Sequence, residues 1–416
     1  MDTISPLPAA TAPQPPDRAP IPDALYEVIE TLAAIERPAG SEGEQRAAGW
    51  IAERLQAAGC EAHVEKEQFL DGYASVLGRL AAVGVVAGAA ALGGRTRRLG
   101  GAAAALAAAA IADDVSNGPR LFRRATSSSR PTWNVVATAG EAASDRTLVV
   151  LAHHDAAQTG LIFDDRAQVW VGDRFPGLLE RIDTSLPLWW ALLGGPALVT
   201  AGAARGSRRM AAGGMLASLI GTAVFADIAR RPVCPGANDN LTAVAVLVAL
   251  AERLRQEPID DLRVLLVSCG AEEVIQGGIY GFAARHFPLL DRERTWFLNL
   301  ETVGSPRLIL LEGEGSLVME DYCDRSFRDL IVRAANRAGT PIRRGMRSRN
   351  PTDAVIPSRA GYPTATITSV DRYKSLSNYH KMSDTPENVD LRTVTAALNV
   401  SDAVARELAT TPWFGR

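Results

Sequence analysis

The chain has 416 residues, 47% of them apolar and 22% charged, with a formal net charge of -3. That length and apolar content suffice for one large or two ordinary domains and argue against global disorder. The charge balance offers nothing to nucleic acid, and four scattered cysteines without Cys-x-x-Cys spacing read as small buried residues, not as a disulfide framework.

Residues 1–22 hold seven prolines and no apolar core segment, so they read as a disordered tail and not as a secretory signal. From residue 23 the pattern is helical. Ser41 and Glu44 form a capping box ahead of Ala47, Ala48, Ile51, Leu55 and Ala58, and Gly59 is the stop. A strand-like stretch follows over 60–69. Further strands are expected over 133–139, 147–152, 262–268, 295–300, 307–311 and 364–370. Several are unbroken Val/Leu/Ile runs, which suit strands covered on both faces. Helical segments fall near 241–255, 278–286, 327–338 and 391–408. This alternation predicts an α/β fold, a mixed, mostly parallel central sheet sandwiched by helices over 23–408. Chemistry in such sheets gathers at the carboxyl ends of strands.

Two apolar helical hairpins interrupt that pattern, at 75–113 and 186–229. The first has arms over 80–94 and 99–112 around Arg95, Arg97 and Arg98; the second has arms over 186–204 and 210–226 around Arg205, Arg208 and Arg209. No arm contains a charge. Spanning a bilayer takes ~20 apolar residues; the second hairpin approaches this and the first is shorter. Gly and Ala permit close helix contact in lipid, and Trp189 and Trp190 suit an interface. The chain is therefore expected to associate with a membrane, the alternative being hairpins buried in protein. Basic turns belong on the cytoplasmic side, which puts the remaining chain on the extracytoplasmic side.

Five short segments carry acids and histidines where strands hand over to loops or helices. His153 and Asp155 follow 147–152; an imidazole that binds metal commonly has its second nitrogen held by a carboxylate. Asp239 precedes the helix near 241, as an N-cap or as a carboxylate able to bridge two cations. Glu272 and Glu273 follow a buried strand, where a cation would relieve their repulsion; one can ligate while the other takes a proton from water. Glu301 ends 295–300, and Tyr379-His380 follows 364–370. Two histidines and three carboxylates are the nitrogen–oxygen set that suits paired zinc.

Together these segments resemble the co-catalytic zinc aminopeptidase family, which includes bacterial leucyl aminopeptidases, glutamate carboxypeptidase and glutaminyl cyclases. The resemblance extends to Arg-Pro-Ala-Gly-Ser-Glu-Gly-Glu-Gln at 37–45. It implies two zinc ions per chain, His153 and Glu301 holding one, Glu273 and His380 the other, with Asp239 bridging. Asp155 would orient His153, and Glu272 would be the general base for water activated between the ions. Asp353 and Tyr379 would border the substrate. The implied activity is a metallopeptidase acting on peptides, of aminopeptidase type, with carboxypeptidase, other amide hydrolase or glutaminyl cyclase activity as alternatives. A non-catalytic membrane scaffold is a further alternative, though family non-enzymes tend to lose ligands and none is missing here. Glu301 departs from the Asp common in aminopeptidases, which bears on metal preference.

Overall fold

The computed structural model describes residues 23–177 and 181–410; the proline-rich tail expected over 1–22 lies outside them. One sheet contains β1 (Glu61–Leu70), β2 (Ser129–Gly140), β3 (Thr147–His153), β4 (Arg263–Cys269), β5 (Thr295–Glu301), β6 (Arg307–Glu314), β7 (Glu320–Asp321), β8 (Arg343–Ser348) and β9 (Thr364–Val370). Its order is β1-β2-β4-β3-β5-β9-β6-β7, with β8 on β6. The centre, β4-β3-β5-β9, is parallel, while β1 and β2 run antiparallel on one side and β6 antiparallel to β9 on the other.

The unbroken apolar runs fall in that parallel centre, and every residue of β3 and β9 is buried. Leu148 and Val150 of β3 face a core built with helices Asp23–Ala33, Glu42–Ala57, Thr242–Gln256, Arg325–Arg337 and Leu391–Thr410. Val149 and Leu151 face the opposite layer, with Ile279 and Phe282 of helix Gly277–His286. Period-two side-chain alternation thus covers the sheet on both faces.

Local patterns missed the elements that tertiary pairing stabilises. The strand β8 has an Arg-rich sequence, yet Arg344 pairs with Glu312 of β6 and with Asp329. Helices Leu121–Thr126 and Arg166–Arg174 were likewise not expected. The capping box is half as predicted: Ser41 Oγ accepts from the Glu44 N–H at 3.1 Å, but the Glu44 carboxylate instead accepts from the N–H groups of Gly40 and Ala271.

The hairpins form helices Tyr73–Leu92, Arg97–Val115, Leu188–Arg205 and Arg208–Ile228, which pack together. Close approach explains their Gly and Ala content: a Cβ on Gly88 would sit 2.6 Å from Met215, and one on Gly214 would sit 2.5 Å from the Val199 nitrogen. The basic turns share one end, where the Arg97 guanidinium lies against Gly206. Outward-facing Val86, Leu99, Leu106, Leu216 and Leu219 are exposed.

Tyr73–Leu92 and Arg208–Ile228 are long and apolar enough to cross a membrane. At 20 and 21 residues they are ~30 Å long, close to the hydrocarbon thickness of a bilayer. The sequence pattern favoured the second hairpin, but one arm of each hairpin meets the criterion. The first arm starts earlier than its apolar run because Val76 and Leu77 bury against Phe225 and Ile275.

At the root of the first hairpin, Arg123 makes a buried bidentate pair with Asp114 at 2.7 and 2.8 Å and donates to the Leu70 carbonyl at the end of β1. Next to it, Asn117 and Arg120 reach the loop after β4: Asn117 donates to the Gln276 side chain at 2.8 Å and Arg120 to the Ile275 carbonyl at 2.7 Å.

Candidate metal centre

His153 is the last residue of β3, the Glu272–Glu273 pair follows β4, Glu301 ends β5, and His380 lies on the loop after β9. These are carboxyl ends of four adjacent parallel strands. The fifth element is the loop before helix Thr242–Gln256, which carries Asp239.

There the side chains converge. His153 Nε2 lies 3.4 Å from Asp239 Oδ1 and 3.4 Å from Glu301 Oε1. His380 Nε2 lies 3.4 Å from Asp239 Oδ2 and 3.1 Å from Glu273 Oε2. The two oxygens of Asp239 therefore serve two separate triads, His153–Asp239–Glu301 and Asp239–Glu273–His380. Zinc–ligand bonds of 2.0–2.1 Å in a tetrahedron put neighbouring donor atoms about 3.3 Å apart, and the observed separations match that edge.

The electrostatics call for cations. Burial alone would raise the Asp239 carboxyl, but the His153 and His380 imidazoles hold it well below the usual range. Burial, aided by neighbouring carboxylates, pushes Glu272, Glu273 and Glu301 up. Burial would lower His380, yet Glu273 and Asp239 raise it to about 10. Both histidine Nε2 atoms, Asp239 Oδ2 and Glu273 Oε1 are buried without a hydrogen-bond partner among the described residues. Buried polar atoms are seldom left so, and metal ligation is the use that fits this donor set.

The supporting contacts are directional. Asp155 Oδ1 lies 3.3 Å from His153 Nδ1, while its two oxygens accept from the N–H groups of Glu272 and Glu273 at 3.0 and 3.1 Å. One carboxylate thus links the β3 imidazole to the β4 acids. His154 turns away, its Nδ1 2.9 Å from Ser268 Oγ. Glu272 Oε2 stands 3.9 Å from His153 Nε2, and its Oε1 accepts from Gln276 at 2.8 Å. Tyr379 stacks on the His380 ring at 3.8 Å, and Phe163 stands edge-on to that ring at 4.5 Å.

Asp353 lies close enough to His153 and Glu301 for their charges to act on its carboxyl. It is buried, its oxygens have no hydrogen-bond partner among the described residues, and burial raises its carboxyl to about 8. The cavities beside the centre are lined by Thr352 and Pro351 but not by Asp353.

Sequence reasoning missed four supports. Asp384 accepts from the N–H groups of Asn238 and Asp239, fixing the loop that carries Asp239. Fully buried Arg37 donates to the carbonyls of His154, Pro235 and Gly236, joining the segments that carry His153 and Asp239. Thr302 Oγ1 donates to Asp239 or Glu301, and Gln276 holds Glu272. Arg37 opens the motif quoted at 37–45 and Asp384 follows His380 by four residues, so both were findable. Thr302 and Gln276 have no local signal.

Glu314 steadies the cleft margin, accepting from the N–H and Oγ1 of Thr352 at 3.0 and 2.9 Å. Burial pushes its carboxyl from 4.5 up to about 8. The folded state therefore holds a proton that the unfolded chain releases between those values, and its stabilising effect falls as pH rises through that window. Glu314→Gln carries a permanently neutral amide. Its melting temperature relative to wild type is expected to rise between pH 5 and pH 8; a difference that stays constant would refute this.

Residues 223–405 match the model of Peptidase family M28. No curated protein matches the sequence. Among solved structures, the chain is similar to the glutaminyl cyclase of Bacteroides thetaiotaomicron, at 13% identity over 92% of this chain and 97% of that one, with a TM-score of 0.55. It is similar to the aminopeptidase of Aneurinibacillus sp. strain AM-1, at 14% identity over 92% of each chain and a TM-score of 0.52. A Zn-dependent exopeptidase from Parabacteroides distasonis gives 12% identity, 92% and 97% coverage, and a TM-score of 0.53. At such identities the structural likeness establishes the fold. Residues 223–405 are thus similar to Peptidase family M28, and the chain has the fold that these solved structures share.

Proposed function

We propose that the chain is a membrane-associated peptidase of aminopeptidase type that works with two zinc ions. The observation that carries this reading is Asp239, whose two oxygens each face a different imidazole at 3.4 Å. His153, Asp239 and Glu301 would hold one ion, and Asp239, Glu273 and His380 the other. When bound, the ions supply Lewis-acid polarisation of the scissile carbonyl and lower the pKa of the attacking water.

The chain's own residues do the rest. Asp155 keeps the His153 ring in one orientation, its second nitrogen aimed at the centre. Glu272 stands at the edge of the triads, raised by burial, with Gln276 fixing one oxygen. It is the group placed to take a proton from water and return it to the leaving amine. Tyr379 and Phe163 pack on the His380 ring and hold it in place.

The membrane reading draws on two helices of spanning length, an exposed apolar exterior and basic turns at one end. The positive-inside rule puts those turns in the cytoplasm and the metal centre outside.

Purified full-length chain, assayed for metal and against aminoacyl and dipeptide substrates, tests the reading. The expected outcome is about two zinc ions per chain and release of N-terminal residues. Zinc-loaded protein that cleaves no amide would instead favour a binding scaffold.

A further inference from the structure

Beside the centre lies a cavity of about 350 Å³ between the helical bundle and the sheet. One wall is Trp189, Leu192, Ala217, Ile220, Val224 and Phe225, all from the second hairpin; Tyr73 adds the first. Its other end is Glu272, Glu273 and His380. A second cleft of about 290 Å³ meets it at Glu272, Glu273 and Tyr379, and is bordered by Asp239, Glu301, Arg347, Lys374 and Lys381. The proposed base and ligands therefore stand between an apolar chamber and a cleft that also carries charged side chains.

The apolar chamber is too large for one amino-acid side chain. A cavity of ~150 Å³ is filled by benzene, and this one is more than twice that volume. Among the described residues, no charged residue lines it apart from those of the centre. Leu188 and Ile220, which line it, are also exposed. Its walls come from the apolar bundle, including both helices of spanning length. A polar peptide would leave such walls in contact with unpaired amides, at a desolvation cost.

We propose that the substrate is an amino-acid or peptide amide bearing a long aliphatic chain, the chain lying in this chamber and the polar part in the second cleft. This rests on the hydrolase reading and names its substrate class. The reaction is hydrolysis: water adds to the amide carbonyl, the C–N bond breaks, and the nitrogen leaves as an amine carrying the transferred proton. The chain attaches on either the acyl or the amine side of the scissile bond.

The test uses zinc-loaded full-length chain in one detergent. kcat/KM is measured for N-acetyl-, N-octanoyl- and N-dodecanoyl-leucine, for leucine methylamide and leucine dodecylamide, and for leucine p-nitroanilide. Each methylene buried at the usual transfer value adds severalfold to binding. The expected gain from the shortest to the longest member of at least one series is about 100-fold, allowing for incomplete burial. Ala217→Phe and Val224→Phe, which fill the chamber, are each expected to cut that ratio at least tenfold. Preference that arises only from partition into micelles would persist in both variants and overturn the proposal. A flat profile with leucine p-nitroanilide still cleaved would overturn the substrate class alone. Absence of all cleavage with zinc bound would overturn the hydrolase reading beneath it.

Discussion

Glu272→Gln is expected to lower kcat by 10²–10⁴, the usual contribution of a positioned general base, while zinc content stays at the wild-type level. The physical reason is that Gln reproduces the shape of Glu but cannot accept and return the proton. Its carbonyl oxygen can still accept from Gln276, which now meets Glu272 Oε1 at 2.8 Å, so the loop after β4 should keep its geometry. Glu272 belongs to neither of the two triads that Asp239 joins, although it can also group with His153 and Glu273; with both Asp239 triads intact, metal retention is expected. Activity is measured on leucine p-nitroanilide with metal analysis on the same preparation. Wild-type turnover in this variant would end the assignment of Glu272 as base. Loss of zinc would show that it ligates.

Asp239→Ala should act on the other half of the machinery. It removes the carboxylate shared by both triads, leaving each with one imidazole and one acid. Zinc content is expected to fall well below that of wild type, and turnover to background. The variant should also lose the stabilisation that bound metal confers on the fold, ~4 kcal/mol at a free concentration a thousand times Kd. Adding zinc then raises the melting temperature of wild type but not of the variant. If the variant kept both ions and the wild-type melting response, Asp239 would not be the bridge.

Removing Asp239 has a further local consequence. Asp384 accepts from the backbone of Asn238 and Asp239, and Arg37 binds the carbonyls of His154, Pro235 and Gly236. These contacts use backbone atoms, so the loop has support independent of the Asp239 side chain. The variant should therefore fold, which makes its metal content interpretable.

Much of the core was legible because it obeys short-range rules. Strand β9 coincides with the expected 364–370, and β3 exceeds 147–152 only by His153 itself. Continuous apolar runs bounded by polar turns leave few alternatives for a strand buried on both faces. His153 and Glu301 were legible for a related reason: each ends such a run, where a parallel sheet places its reactive groups, whereas Asp239 and His380 lie on loops. By contrast, Arg343–Ser348 reads as a polar loop. Only the Glu312 and Asp329 carboxylates facing Arg344 explain why it is a strand.

The sequence by itself determined the order of the apolar strands and the long helices, the identity of the acids and histidines, and the apolar character of the two hairpins. Periodicity and composition act over a few residues and need no partner. The tertiary structure decided which oxygen of Asp239 meets which imidazole, that Glu44 and Asp155 reach the backbone around Glu272, and that Asp353 lines neither cavity. It also decided that the hairpins roof the metal centre with an apolar chamber. Those facts depend on contacts between segments distant in the chain, such as Asp155 with Glu272, 117 residues apart. Their distances are set by how helices and sheet pack, and no local pattern of residues encodes them.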